Sequence, residues 1–460
     1  MRDLFFIAIL GLMFLMAFKR PFLFVLAYCY IDIVAPQRMS YFLLNSIPIS
    51  MIFFALAFLG YVLTDQKQDS CFTPRMAAIV ALLFYCGYMT TQAFEPVAAA
   101  TKWSWASKAL FFAAFLPFTL HKRLRIEALV LIIVLCASSL IVTGGIKTAL
   151  GGGGYGSLVL LVQDNSGLYE GSIISMVAIA IIPLILWLAN HGTVFPPDWR
   201  VKAYAAALIL ACLLIPVGTE ARTGLVCIGV LGVLLLRFSK RRFLYLVLIG
   251  TLGLSALPFL PSSFTERMNT IQSYDADESA STRLAVWGWT WDFVKQHPMG
   301  GGFDSYRLNK ISYKIPVLDK DGHATGESTT TQVVDAGRAF HSSYFEMLGE
   351  HGFFGLIVWL FIHVGGVWRM EVLQRQYHKR NRPEEAWVAP LALALQNFTI
   401  IYLVGSLFVG VAFQPFPYMV IAAQIGLDSY LKRRRAEGEL TPLKTILRRR
   451  PMPDGSGQPA

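Results

Sequence analysis

Two arginines and one histidine stand at the ends of apolar blocks, where a chain rich in such blocks can expose reactive groups. Arg222 lies in the short turn Gly218-Thr219-Glu220-Ala221-Arg222-Thr223-Gly224. Arg283 lies in Ser281-Thr282-Arg283-Leu284-Ala285-Val286-Trp287. His341 lies in Gly337-Arg338-Ala339-Phe340-His341-Ser342-Ser343-Tyr344-Phe345-Glu346. Guanidinium groups bind anions, and an imidazole group can accept or donate a proton. Each of the three residues also has a purely structural interpretation.

Arg283 is predicted to lie where an anion would bind. Ser281 or Thr282 can cap a helix that runs to about Gln296. Arg283 would then sit in the first turn, where free backbone N–H groups and the helix dipole favour negative charge. The alternative is an ordinary amphipathic surface helix, with Trp287 packed on the membrane surface or on a sugar ring.

His341 and Arg222 carry less information by themselves. Ser343 and Glu346 have the spacing of a capping box, which predicts a helix start just after His341. A histidine in such a position is either structural or catalytic. Arg222 either extends its charge to lipid headgroups or belongs to the same site as the other two.

Metal and nucleotide sites are not predicted. Asp275-Ala276-Asp277 and Asp319-Lys320-Asp321 have the form of a metal-binding pair, but neither has a further set of ligands nearby. The run from Gly151 to Gly154 is not followed by Gly-Lys-Ser/Thr, so it is not a phosphate-binding loop. We expect neither a metal nor another cofactor.

The composition excludes a soluble globular protein. Of 460 residues, 55% are hydrophobic and only 15% are charged, whereas soluble domains carry about 25% charged residues. The net charge of +11 is concentrated in short connections between apolar blocks, which is typical of the cytoplasmic loops of membrane proteins and not of a nucleic-acid-binding surface.

The apolar blocks predict an all-α integral membrane protein with about 12 transmembrane helices. They fall at residues 4–18, 22–34, 46–63, 76–94, 103–120, 126–143, 172–189, 203–218, 223–236, 243–260, 344–368, 387–411 and 416–431. Most approach the roughly 20 residues that a helix needs to cross a bilayer. The first two blocks are short, and the sequence does not determine on which side of the membrane the N-terminus lies.

The loops predict the orientation and the domains. Basic connections near 121–125, 190–202, 237–242 and 369–386 belong inside, and the connections at 144–171, 218–222 and 261–343 face outward. We therefore divide the chain into N-terminal transmembrane helices (1–260), one long, partly helical periplasmic loop (261–343), C-terminal transmembrane helices (344–431) and a basic cytoplasmic tail (432–460).

At these motifs the chain resembles the O-antigen ligase family of bacterial membrane glycosyltransferases. The resemblance covers roughly residues 205–370 and rests on an ordered set: Thr219-Glu220-Ala221-Arg222-Thr223-Gly224, then Arg283-Leu284-Ala285-Val286-Trp287, His297-Pro298-Met299-Gly300-Gly301-Gly302, Phe340-His341-Ser342-Ser343-Tyr344 and Glu350-His351-Gly352-Phe353-Phe354-Gly355. The opening, with Lys19-Arg20-Pro21 and Pro36-Gln37-Arg38, also resembles exosortase-associated O-glycosylation ligases.

The resemblance implies transfer of a polysaccharide from undecaprenyl diphosphate to a sugar hydroxyl of lipid A-core, at the periplasmic face of the bacterial inner membrane. It implies that Arg222 and Arg283 bind the donor diphosphate, that His341 is the general base, and that the reaction inverts the anomeric centre without metal. Arg338, Tyr344 and Trp287 are candidate substrate contacts. The partners would be the lipid-linked donor, the lipid A-core acceptor and membrane lipids.

Three other functions remain open from the sequence. An O-antigen polymerase or a protein O-oligosaccharyltransferase would share this architecture and differ in the acceptor. A polytopic transporter or flippase would instead carry charged residues deep in its spans and two related halves, and the sequence shows neither clearly.

Overall fold

The chain folds into a bundle of helices. The structure is a computed structural model that describes residues 2–65, 67, 72–150, 167–237, 241–244, 247, 251, 278–312, 314–318, 324–330, 335–380 and 382–438. The predicted all-α architecture is confirmed over these ranges, where strands are few and short. Most of the apolar block at 243–260, the run Gly151 to Gly154 and both aspartate pairs lie outside the described residues.

The first half of the chain contributes α1 (Arg2–Ala17), α2 (Phe22–Val34), α3 (Pro36–Met39), α4 (Ile49–Thr64), α5 (Pro74–Thr91), α6 (Pro96–Thr119), α7 (Arg123–Leu150), a 3-10 turn (Gly167–Tyr169), α8 (Gly171–Ala180) and α9 (Ile182–His191). The second half contributes α10 (Trp199–Gly218), α11 (Arg222–Leu236), α12 (Glu278–Gln296), 3-10 turns at Ser305–Leu308 and Pro383–Glu385, α13 (Ser343–His378), α14 (Val388–Gly405) and α15 (Pro415–Ala436).

Two small antiparallel ribbons lie between α12 and α13. β1 (Lys310–Ile311) pairs with β4 (Asp335–Ala336), and β2 (Lys314–Leu318) pairs with β3 (Ala324–Thr330). The predicted long loop is therefore partly helical, through α12, and partly stranded.

Local sequence explains where the apolar blocks begin and end. Thr73 caps α5 by accepting a hydrogen bond from the Met76 N–H, at 3.3 Å, and Pro74 occupies the first helical position. The Glu170 carboxylate caps α8 in the same way, from the Ile173 N–H at 2.6 Å. Pro183 lacks an N–H group, and the single apolar block at 172–189 accordingly has a local irregularity at Ile181, where α8 ends and α9 follows directly as part of the same apolar stretch.

Several helices are apolar enough to cross a bilayer. Among the described residues, five have the required length and composition, namely Arg123–Leu150, Gly171–His191, Trp199–Gly218, Ser343–His378 and Pro383–Gly405. Shorter apolar helices are Asp3–Ala17, Phe22–Val34, Ile49–Thr64 and Arg222–Leu236. The chain is thus a multi-pass membrane protein.

The helices pack so that their basic connections meet at one end of the bundle, which we call the basic end. Arg125 forms a two-hydrogen-bond ion pair with Asp65, at 2.5 and 2.8 Å. Arg433 donates to the carbonyl of His121 at 2.7 Å, and Arg123 donates to that of His191 at 3.2 Å. Connections far apart in the sequence are therefore neighbours at the basic end.

The opposite end, which we call the cavity end, is organised by a break in α13. Gly352 has φ 62° and ψ −163°, a backbone conformation available almost only to glycine, and the helix is interrupted there. A helix break leaves carbonyl groups without their usual i+4 partners. The N–H groups of Gly301 and Gly302 donate to the carbonyls of Gly349 and Glu350, each at 2.9 Å.

The glycine-rich segment from Pro298 to Gly302 therefore lies against the broken helix, backbone to backbone. The Phe353 N–H returns a hydrogen bond to the carbonyl of Pro298 at 3.1 Å. No side chain fits between the two segments: a Cβ on Gly300 would lie 2.6 Å from the Glu350 carbonyl, and one on Gly352 would overlap Pro298. This explains why both motifs contain glycine and places α12 beside the first turns of α13.

We expect Gly352→Ala to destabilise the protein by roughly 3 kcal/mol or more, because it combines a disfavoured backbone conformation with a steric overlap. The matched control is Gly288→Ala in α12, where, among the described residues, no atom outside the neighbouring helix backbone lies within 4 Å of the added Cβ. Thermal unfolding of the two detergent-solubilised variants measures the difference. Equal melting temperatures would contradict the role given to the helix break.

Candidate functional site

A cavity at the cavity end holds two of the three residues singled out in the sequence. It encloses about 1070 Å³ of space, including its opening, and lies among α6, the start of α8, α12 and the segment that enters α13. Arg283 and His341 both line it, with Lys102, Glu170, Ser172, Ile173, Tyr306, Glu346, Glu350 and Gly410 among the other lining residues. The structure therefore brings one arginine and the histidine to a common space.

His341 is held in an unusual backbone conformation. Its φ is +48°, in the left-handed region that few residues other than glycine adopt, and such positions cluster at functional sites. Phe340 is buried on one side, with its carbonyl accepting a hydrogen bond from the Trp287 indole at 2.9 Å. On the other side, the Ser343 N–H donates to the carbonyl of Ser406 at 2.8 Å. These anchors fix an exposed histidine at the cavity.

The surroundings of His341 favour its neutral form. Partial removal of water around the ring lowers the pKa of His341, and the positive charges of Arg283 and Arg338 lower that pKa further. An imidazole with a pKa below its ordinary value is unprotonated at neutral pH, so it can accept a proton.

The helix start after His341 is confirmed, but the predicted capping box is wrong. Ser342 is the N-cap residue and makes no capping hydrogen bond with its side chain. The Ser343 hydroxyl instead donates to the carbonyl of Val409 and accepts from the Val411 N–H, both at 2.9 Å. Glu346 also turns away from the cap, so these side chains attach α13 to the connection between α14 and α15.

Arg283 lies deeper in its helix than predicted. Helix α12 already includes Glu278, so Ser281 and Thr282 are interior residues and do not cap it. Ala280, Leu284 and Ala285 favour helix, and nothing among the residues around Ser281 interrupts it. The predicted end at Gln296 is confirmed. Arg283 therefore offers an anion its guanidinium group and not the free N–H groups of a helix start.

Arg222 occupies the position that had been expected for Arg283. It is the first residue of α11, after Glu220 with φ +50°, and so lies at the positive end of the dipole of that helix. Arg222 is not among the residues that line the cavity. Its turn contacts α8 through a 2.6 Å hydrogen bond between the hydroxyls of Ser175 and Thr219, and the first turn of α8 lines the cavity.

The three candidate substrate contacts have different environments. Arg338 forms an ion pair with Asp335, while its charge acts on His341. Trp287 stacks on Phe345 with ring centroids 4.8 Å apart. The Tyr344 hydroxyl donates to a main-chain carbonyl of α14 at 2.9 Å. Trp287 and Tyr344 are thus used in packing around the site, whereas Arg338 is half-exposed at its edge.

Sequence reasoning missed a buried ionic cluster at the floor of the cavity. The Lys102 ammonium lies 2.7 Å from a carboxylate oxygen of Glu346, 2.7 Å from one of Glu350 and 3.7 Å from one of Asp304. We call these four residues the Lys102 cluster. Backbone N–H groups of Asp304 and Ala412 donate to Glu350 and Glu346, at 2.9 and 3.0 Å.

Charged groups are therefore present within the helices, contrary to our reading of the sequence. Lys102 lies in α6, and Glu346 and Glu350 lie one turn apart in α13. Charges in apolar helices are expensive to bury and are usually paired or functional. The presence of these charges in apolar helices could be seen in the sequence. The pairing of Lys102 with glutamates about 245 positions away could not. All members of the cluster lie at the cavity end.

Comparison with known proteins divides the chain in two. Residues 1–193 match a family of unknown function, DUF5935. Residues 205–360 match the family described as O-antigen ligase, and this range contains Arg222, Arg283 and His341. No curated protein matches the chain. The match confirms the resemblance found in the motifs, since residues 205–360 are similar to the O-antigen ligase family.

Proposed function

We propose that the protein is a ligase that transfers a glycan from undecaprenyl diphosphate to a sugar hydroxyl of lipid A-core. The family gives the general class, a membrane glycosyltransferase. The observation that carries the proposal is the cavity shared by Arg283 and His341. An anion-binding guanidinium and an unprotonated imidazole are the two groups that such a transfer needs.

The donor brings its own leaving group. Diphosphate departs readily once its negative charge is neutralised, and Arg283 can bind its oxygens with two parallel hydrogen bonds. We assign Arg222 as the second contact, from behind the first turn of α8, where the dipole of α11 adds to its positive charge. Two arginines perform the neutralisation that a divalent cation performs elsewhere, so the proposed reaction needs no metal and no nucleotide.

His341 acts as the general base. As the acceptor oxygen forms its bond to the anomeric carbon, the imidazole takes the hydroxyl proton, and the bond from carbon to the diphosphate oxygen breaks. Attack from the face opposite the diphosphate inverts the anomeric centre. Arg338 contributes its charge at the edge of the site, whereas Trp287 and Tyr344 act by holding the segment around His341.

We further propose that the cavity end faces the periplasm and that about 12 helices span the inner membrane. The support is the distribution of charge: the basic connections meet at the opposite end, which the positive-inside rule assigns to the cytoplasm. The division into residues 1–260, 261–343, 344–431 and 432–460 follows the same topology. Surrounding lipids and the lipid-linked donor would reach the cavity from the membrane.

The test is reconstitution of the purified protein with undecaprenyl-diphosphate glycan and lipid A-core, in EDTA and without nucleotide. We expect a ligated product, and we expect His341→Ala to lower kcat by roughly 10²- to 10⁴-fold, the usual contribution of a general base. Donor binding should be retained.

Mass analysis of the product decides between the related functions. A longer glycan chain or a glycosylated Ser or Thr would replace the ligase by a polymerase or a protein transferase. Full activity of His341→Ala would remove the base assignment, and a strict Mg²⁺ requirement would remove the metal-free mechanism.

We expect Arg283→Ala to weaken binding of the diphosphate donor by roughly ten- to hundredfold, the effect of losing a charge-assisted bidentate contact. Lys295→Ala, on the same helix and more than half exposed, is the matched control and should leave the affinity unchanged. Equilibrium binding of undecaprenyl-diphosphate glycan measures both. Equal donor affinity in the two variants would contradict the diphosphate role.

The pH dependence of transfer should follow the pKa of His341. Activity requires the neutral ring, so it should fall only below the ordinary histidine pKa of about 6.5. Arg338→Gln removes one of the charges that lower this pKa, and we therefore expect the acid limb to move to higher pH. Lys310→Gln, an exposed change of the same charge, is the control. Superimposable profiles for Arg338→Gln and wild type would show that His341 does not set the limb.

A further inference from the structure

A second cavity lies next to the first and is built mainly by the N-terminal half of the chain. It encloses about 1250 Å³, including its opening, among α2, α4, α6, the 3-10 turn at Gly167–Tyr169 and the start of α15. Ile173 lines both cavities. Val409 and Gly410 line the first, and Val411 lines the second, so one short segment also borders both.

Polar atoms in the second cavity lack partners within the described part of the chain. One carboxylate oxygen of Asp32 and the side-chain carbonyl oxygen of Gln37 are enclosed, and neither has a partner at hydrogen-bond distance, although the Tyr28 hydroxyl lies close enough to act on the Asp32 carboxylate. Lys108 lines the same cavity and is not engaged in any hydrogen bond or ion pair with the described residues. Asp32 and Lys108 are both on apolar helices, and the charge of Lys108 acts on Asp32 without a direct ion pair between them. Charges in such helices are expensive and are usually functional.

These groups fit a particular class of ligand. Enclosed acceptors such as Asp32 and Gln37 require a ligand that donates hydrogen bonds, and an ammonium group such as Lys108 requires one that accepts them. A hydroxyl group does both. Trp105 also lines the cavity, with 36% of its surface exposed, and offers a flat ring face. A carboxylate, an amide, an ammonium and an indole together suit a sugar ring with several hydroxyl groups.

We propose that this cavity binds the glycan of the acceptor and presents one of its hydroxyls to His341 across Ile173. The inference rests on the proposed function, because it assigns the second cavity to the acceptor and leaves the first to the donor diphosphate. Asp32, Gln37, Trp105 and Lys108 all belong to residues 1–193, the range that matches a family of unknown function. Acceptor recognition would then be the task of that region.

The experiment uses the full-length protein in nanodiscs, with lipid A-core as the probe for the acceptor and undecaprenyl-diphosphate glycan as the probe for the donor. Asp32→Asn and Lys108→Met should each weaken lipid A-core binding and raise its KM by roughly tenfold, the factor expected for one hydrogen bond to a charged group. Donor affinity should not change. Lys202→Met, an exposed lysine of α10, is the control.

Trp105→Leu provides an independent variant that changes no charge. It should also weaken lipid A-core binding, while its melting temperature shows whether the fold is retained. Unchanged acceptor affinity in folded variants at positions 32, 105 and 108 would overturn the proposal, and so would a loss of donor affinity without a loss of acceptor affinity.

The outcomes separate this proposal from the proposed function. Transfer that depends on His341 but not on Asp32 or Lys108 would contradict the acceptor site and would still support the ligase function. Binding of lipid A-core that depends on Asp32 and Lys108, without any transfer, would support the acceptor site and contradict the ligase function. Absence of both binding and transfer in the wild-type protein would overturn both.

Discussion

The cavity end depends on one interaction, the backbone pairing between the break in α13 and the glycine-rich segment that follows α12. Gly352 interrupts the helix, and the freed carbonyls of Gly349 and Glu350 accept hydrogen bonds from Gly301 and Gly302. An unbroken helix would use these carbonyls internally. The break therefore joins α12, which carries Arg283, to the first turns of α13, which carry Glu346 and Glu350 and follow directly on His341.

The Lys102 cluster extends this attachment to the N-terminal half of the chain. Its ammonium group comes from α6, whereas two of its three carboxyl groups come from α13. Removing one partner of a buried ionic group leaves the others uncompensated, so such a cluster specifies how helices are placed even where it adds little net stability. At the floor of the cavity, the contact between the DUF5935 range and the O-antigen ligase range is therefore ionic and not apolar.

The features that could be predicted from the sequence are those determined by residues close together in the chain. The bounds of α2, the end of α12 at Gln296 and the start of α13 after His341 follow from apolar blocks and helix-terminal residues. The capping assignments at Ser281 and Ser343 were wrong, because a hydroxyl near a helix start can bond elsewhere, as Ser343 does with the carbonyl of Val409. The Lys102 cluster and the neighbourhood of Asp32 with Lys108 were not predicted, since each depends on contacts between distant helices.

The left-handed backbone at His341 restricts what evolution can place there. Asparagine, aspartate and histidine enter this region more readily than other side chains, while a β-branched residue would be a severe outlier. Such a residue would have to move its neighbouring peptides, and with them the buried Phe340 and Ser342. At this position the backbone conformation and the ability of the side chain to accept a proton can therefore be changed separately. Asparagine could preserve the fold of the segment while erasing its proton affinity, so homologues bearing it would keep an intact cavity that has no base.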